Sequence, residues 1–220
     1  MMKKTNKLLS LIFAIAALVL LITFSIGLPI YFRPFYYAHV DALDMPERTG
    51  FDREVIIEAY DEVLDFLTLP GHEFGTGELE YSEEGKGHFE DCKVLFDLNR
   101  NAFLISLAVV VLLSLLNKIK VIKLARPFGK RISFFVGLSA LILFLSLAVI
   151  VAQDFGSAFT VFHQIFFPGK DNWLFNPFTD QIILVMPQQF FMDCAILICS
   201  SILIISFMLI ARGKRRKSKL

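Results

Sequence analysis

Apolar side chains along this chain gather into four long runs, and the intervals between them switch between acidic and basic. The runs cover residues 8–30, 102–116, 132–152 and 190–211. At ~1.5 Å of rise per residue, about 20 apolar residues cross the ~30 Å hydrocarbon core of a bilayer, so each run reads as a membrane-spanning helix. Lys3, Lys4 and Lys7 precede the first run as they would in a secretory signal. Its apolar stretch exceeds a signal's core and no small-x-small cleavage site follows, so a retained helix is expected.

The intervals carry other periods. Tyr31, Phe32, Phe35, Tyr36 and Tyr37, around Pro29 and Pro34, predict an interfacial aromatic belt, with His39 a belt or surface residue beside it. Asp52 can cap a helix reaching about Leu67, with Val55, Ile56, Ala59, Val63, Leu64 and Leu67 on one face and Pro70 stopping it. Glycines at 71, 75, 77, 85 and 87 favour short strands and tight turns, so 78–82 is expected as a strand and 83–87 as a turn. From His88 onward Phe89, Val94, Leu95, Leu98 and Phe103 run into the short second span, whose helix therefore starts outside the membrane.

The expected fold class is a membrane protein of four transmembrane α-helices with a small extracytoplasmic α/β domain, short strands plus an amphipathic helix, over their outer ends. Residues 1–30 form the first transmembrane helix and 31–101 the extracytoplasmic domain leading into helix two. The second span is 102–117, the basic cytoplasmic loop 118–131, and the third span 132–153. An extracytoplasmic aromatic loop at 154–189, a fourth span at 190–211 and a basic cytoplasmic tail at 212–220 complete the chain.

Composition agrees: 220 residues, 55% hydrophobic and 20% charged, are too apolar for a soluble domain and too charged for bare spans. A net charge of +1 hides an asymmetry, since 17 of the 21 acidic residues lie between Tyr31 and Asn101. Lys118, Lys120, Lys123, Arg126, Lys130 and Arg131 fill one loop, and both termini are basic. The positive-inside rule places all three basic segments, and both termini, in the cytoplasm of a multi-pass cell-membrane protein. Anionic lipid is a minor partner for the basic loop; nothing points to nucleic acid, and the oligomeric state is not fixed. The three cysteines make no disulfide framework.

No Walker loop, HExxH, GxSxG or CxxC pattern occurs, and no span carries the polar run of an ion path. What remains is a pair of histidines, His88 and His163, which the four-span topology brings to one side of the membrane. Histidine takes and returns protons near neutral pH. Asp91, three residues after His88, and Asp171, Trp173, Asn176 and Asp180, after His163, are the expected supporting or substrate-binding residues. As a belt residue among phenylalanines, His163 alone has an ordinary structural reading, and so does His88 as a loop histidine. Ser157 or Thr160 beside His163 would make a nucleophile–base pair, without an elbow motif to hold it. A metal site lacks a third ligand at the usual spacing.

The blocks GHFEDCK (87–93), FHQIFF (162–167), DNWLFNPFTDQII (171–183) and MPQQFF (186–191), on this frame, resemble the lipoprotein intramolecular transacylases of Gram-positive bacteria. The family commonly shows HMxDV where this chain has His88-Phe89-Glu90-Asp91-Cys92. The resemblance implies movement of the sn-2 acyl chain of a lipoprotein's diacylglyceryl-cysteine to the same cysteine's α-amino group. It implies His88 and His163 as the catalytic pair, with no cofactor, no metal and no acyl-enzyme. The expected partners are a diacylated lipoprotein substrate and membrane lipid. His88 is the expected base and His163 its positioner or an oxyanion stabiliser, with the roles exchangeable. The rival readings are a non-catalytic binding protein using the outer domain and a metal-responsive protein using the histidines.

Overall fold

The computed structural model describes residues 6–214. Among them every regular element is helical: α1 (Lys7–Tyr31), α2 (Pro34–Ala42), α3 (Met45–Thr49), α4 (Arg53–Thr68), α5 (Glu83–Lys118), α6 (Ile132–Gln153), α7 (Phe155–Phe166), α8 (Ile182–Val185) and α9 (Gln188–Gly213), with a 3₁₀ turn at Pro127–Gly129. α1, α5, α6 and α9 are long and apolar enough to cross a membrane. Lys3, Lys4 and the basic tail beyond Lys214 lie outside the described residues.

The chain divides into two compact units. One comprises the chain up to Gly27, Arg100–Ile150 and the chain from Leu197. Its core is small: Leu21 of α1, Ala140 of α6 and Ile202 of α9, with Leu18, Phe144, Ile198, Ile205 and Leu209 against them. Small residues permit the helices to approach. A Cβ on Gly137 would lie 2.6 Å from the Ser206 carbonyl oxygen, and one on Gly213 2.5 Å from the Phe134 amide nitrogen. Most other side chains face outward; Leu8, Ile15, Leu104, Ile105, Ile142, Ile204 and Phe207 are more than half exposed. Such a surface is stable only in lipid. The loop after α5 fastens one end: the Asn6 amide donates to the Lys123 carbonyl, the Ala125 amide to Ser10 Oγ at 2.8 Å, and the Arg131 amide to the Gly213 carbonyl.

The other unit comprises Leu28–Asn99 and Val151–Ile196. It packs α2, α3, α4 and α8 around Tyr36, Val40, Ile56, Tyr60, Val63, Ile182, Val185 and Phe190. Tyr36 is not an interfacial belt residue: it is fully buried, stacked on Tyr60 at 3.6 Å, and donates its hydroxyl to the Val185 carbonyl at 2.7 Å. Arg33 ties α2 to α4 through Asp61, at 3.0 Å, and Asp65.

The expected α/β domain is therefore corrected to an all-helical one, with no strand among the described residues. Residues 78–82 make one main-chain bond to a distant segment, Gln181 N–H to the Glu80 carbonyl. Their other partners are side chains or local: Glu80 N–H donates to Gln181 Oε1, Ser82 N–H to Asp180 Oδ1, and Thr76 Oγ1 to the Leu79 carbonyl. A ladder needs successive main-chain pairs, and side chains have taken those places. The sequence predicts turn glycines here, but Gly85 and Gly87 lie inside α5. Ser82 Oγ accepts from the Gly85 amide at 3.0 Å and caps the helix. Gly85 is there for space, because a Cβ would fall 2.1 Å from Asp180 Oδ1.

Candidate active site

Both expected histidines belong to the same unit. His88 lies in the second turn of α5, and His163 near the end of α7. α7 begins where Asp154 Oδ1 accepts from the Ser157 amide at 3.0 Å, and it places Phe155, Phe159, Phe162, His163 and Phe166 at helical spacing. The region expected as a loop at 154–189 thus holds this helix and the single turn of α8.

The two imidazoles are 5.6 Å apart, centroid to centroid, each 6% exposed. Aromatic rings enclose them. Phe167 lies 4.9 Å from His88 and 5.7 Å from His163, Phe175 lies 5.5 Å from His88, and Trp173 stacks on His163 at 4.6 Å. His163 Nδ1 is 2.7 Å from the Phe159 carbonyl. A carbonyl only accepts, so Nδ1 carries the proton and Nε2 keeps its lone pair. His88 Nε2 faces Cys92 Sγ at 3.4 Å, while its Nδ1 is sealed from solvent without a partner.

The charges follow from burial. Desolvation, reinforced by the neighbouring His163 and by Lys170 and opposed by Asp91, pushes His88 down to about 4. This end of α5 is polar, carrying Glu83, Glu84, Lys86, Glu90 and Asp91, and lies outside its apolar spanning stretch. His163 is also lowered by desolvation, with its bond to Phe159 acting the other way. Burial raises the Cys92 thiol to about 12.

The supporting acids behave differently from expectation. Desolvation would raise Asp91, but hydrogen bonds from Lys170 Nζ and Asn172 Nδ2, the latter at 3.1 Å, hold it below the usual range. Asp91 clips the 170–172 segment to α5 and makes no hydrogen bond to an imidazole. Asp180 is buried but accepts from Ser82 and Thr179. Asp171 and Asn176 are exposed, and Asn176 Oδ1 accepts from the Phe178 amide. Trp173 touches His163 through its ring, while its N–H donates to the Lys170 carbonyl at 2.9 Å. Ser157 Oγ donates to Asp154 and Thr160 Oγ1 to the Gly156 carbonyl, so neither hydroxyl is paired with His163. No group of three or more His, Cys, Asp or Glu able to hold a metal occurs among the described residues.

Sequence reasoning missed Lys170, Asn172 and the Cys92 contact. Asn172 Oδ1, like His88 Nδ1, is sealed and unpartnered, a state that costs about 1–3 kcal/mol. It also missed a second pair, His39 Nε2 to Asp193 Oδ2 at 3.2 Å, in which His39 Nδ1 donates to the Phe35 carbonyl. Its signal was Asp193, the one carboxylate inside an apolar run, which the sequence leaves in need of a partner.

Residues 11–191 match the model of one family, Lipoprotein intramolecular transacylase Lit. The chain belongs to that family. It is a multi-pass membrane protein and an enzyme, an intramolecular transacylase. It is similar to the in meso structure of the membrane integral lipoprotein intramolecular transacylase Lit from Bacillus cereus, at 23% identity and a TM-score of 0.83, over 93% of this chain and 92% of that one. Two variants of that protein, with a histidine changed to arginine or to alanine, match at 22% identity and a TM-score of 0.76. They too are covered over 93% of this chain, and over 88% and 90% of their own. The fold of the transacylase is thereby established. Comparison with curated proteins gives no match.

Proposed function

We propose that the transacylase moves the sn-2 acyl chain of a diacylglyceryl-cysteine lipoprotein to the α-amino group of the same cysteine, using His88 and His163 without an acyl-enzyme. The observation that carries this reading is the pair of buried imidazoles 5.6 Å apart in an aromatic enclosure. An enclosure of that kind suits a lipid ester and excludes water, which would hydrolyse it.

The hydrogen-bond pattern favours exchanging the roles first expected. His163, with Nδ1–H fixed on Phe159, offers Nε2 as the base. As the amine nitrogen bonds to the ester carbonyl carbon, Nε2 takes the proton that nitrogen loses. When the carbon–oxygen bond to glycerol breaks, the same proton goes to the departing oxygen. A histidine whose pKa is lowered makes an acidic imidazolium, suited to that return. The product is an N-acyl, S-monoacylglyceryl cysteine.

His88 is suited to the oxyanion. In the tautomer where the Cys92 thiol, protonated because it is buried, donates S–H to Nε2, the ring's own proton sits on Nδ1. Nδ1 has no partner in the resting protein and is free to donate as negative charge develops. Nucleophile and ester belong to one molecule, and holding them in register supplies about 7–11 kcal/mol of the barrier by proximity. The basic segments favour cytoplasmic termini, and with four spans the first and third connections, which carry the site, would then lie at the outer-leaflet interface.

The test is mass spectrometry of a lipoprotein's N-terminal peptide from membranes carrying wild type, His88→Ala or His163→Ala. Each variant is expected to cut transfer at least 100-fold, in the range of general acid–base contributions. Wild-type rates in both would overturn the assignment.

A further inference from the structure

Ester aminolysis asks more of the protein than a base and an oxyanion donor. The attacking nitrogen keeps a second N–H, and in a site closed to water that hydrogen needs an acceptor. Three acceptors around the imidazoles already receive hydrogen bonds. The Phe159 carbonyl receives His163 Nδ1–H, the Lys170 carbonyl receives Trp173 Nε1–H, and the Asp91 oxygens receive Lys170 and Asn172. Asn172 Oδ1 remains uncommitted and closed to solvent.

Its orientation is fixed by chemistry. Asp91 is held as a carboxylate, which only accepts, so Asn172 must turn its NH₂ toward Asp91 and its oxygen away. Its position is fixed from both sides. Asn172 Nδ2 would be 3.8 Å from a Cβ on Gly87, the residue before His88, and the next residue, Trp173, stacks on the His163 ring.

We infer that Asn172 binds the nucleophile: Oδ1 accepts a hydrogen bond from the substrate's α-amino group while His163 Nε2 takes the proton that the same nitrogen releases. This rests on the two-histidine reading of the site. A neutral amide oxygen suits the task. A carboxylate there would hold the amine as ammonium, which has no lone pair to attack with; the amide oxygen orients the free amine without that bias.

The experiment uses the full chain in lipid nanodiscs, a dipalmitoylglyceryl-cysteine peptide, and the same peptide with hydrogen in place of the α-amino group. Wild type is expected to bind the amine-bearing peptide more tightly, and Asn172→Leu to lose about tenfold of that preference, as one hydrogen bond would dictate. Asn172→Asp is expected to move the acid limb of kcat/KM to higher pH and to strengthen binding of the amine-bearing peptide alone as its amine becomes ammonium, the second of which a purely structural role would not do. Should Asn172→Leu fail to fold, Asp91→Asn combined with Asn172→Asp keeps the clip with reversed polarity and reads the same shift. Equal binding of the two peptides by wild type, or an undiminished preference in Asn172→Leu, overturns the inference. His88→Ala and His163→Ala are expected to lose transfer, and His88→Ala, which removes no contact to the amine, to keep the binding preference. If they instead transfer at wild-type rates, the two-histidine reading fails, and the peptide comparison still reports on Asn172 by itself.

Discussion

His163 and His88 differ in what surrounds their nitrogens, and that difference governs how each responds to pH. His88 titrates near 6.5 in an unfolded chain and is pushed down to about 4 in the fold. Between those values the unfolded state holds the extra proton, so stability falls as pH drops from about 6.5 toward 4 and is fully present above that window. Denaturant titrations across pH 4–8 should show this slope, and His88→Phe should flatten it. Cys92 makes a second prediction. Its thiol is raised to about 12 and faces an imidazole, so at pH 8 maleimide should modify it at least tenfold more slowly than a free thiol. Labelling at the rate of a free thiol would contradict the buried contact. At this scale the histidine pair was legible, because only four histidines exist and two fall beside span ends. Asn172 was not, since its role depends on which of its atoms lacks a partner, and no spacing encodes that.

Elements were legible where one period dominates and illegible where contacts between segments decide. The four apolar runs and the face of α4 announce themselves by length or by 3.6-residue spacing. Residues 78–87 do not: alternating polarity and several glycines fit a hairpin, yet Asp180 reaches across to Ser82 and claims the groups a strand would need. Gly85 carries the test. In an exposed helix Gly→Ala gains about 0.5–1 kcal/mol, but here the added carbon meets Asp180 Oδ1 at 2.1 Å and Phe175 at 3.3 Å. Asp180 is held by three hydrogen bonds and cannot swing away freely. Gly85→Ala is therefore expected to be destabilising overall, by about 1–3 kcal/mol as overpacking usually is. It should also lower activity, because Phe175 packs on His88. A rise in melting temperature would show the carboxylate to be mobile. α7 was legible in principle: Phe155, Phe159, Phe162 and Phe166 recur at helical spacing on one face, a period that the reading of 154–189 as an aromatic loop passed over.

For the whole molecule, the deciding quantity is charge distribution. Basic side chains of the loop at 118–131 lie at the end where the Asn6 and Gly213 backbones and the Ser10 hydroxyl are tied to it. Reporter fusions at the N- and C-termini are expected to be active only as cytoplasmic reporters; an extracytoplasmic signal from either would invert the topology and with it the placement of the site.

The stacking of Trp173 on His163 has a practical consequence. The chain contains a single tryptophan, and its ring lies 4.6 Å from an imidazole, so emission from the entire protein originates beside the reacting groups. An imidazolium quenches indole where a neutral ring does not. Unlabelled protein should therefore dim as that histidine gains its charge and brighten as it gives it up, a change that a fluorimeter reads across a pH titration.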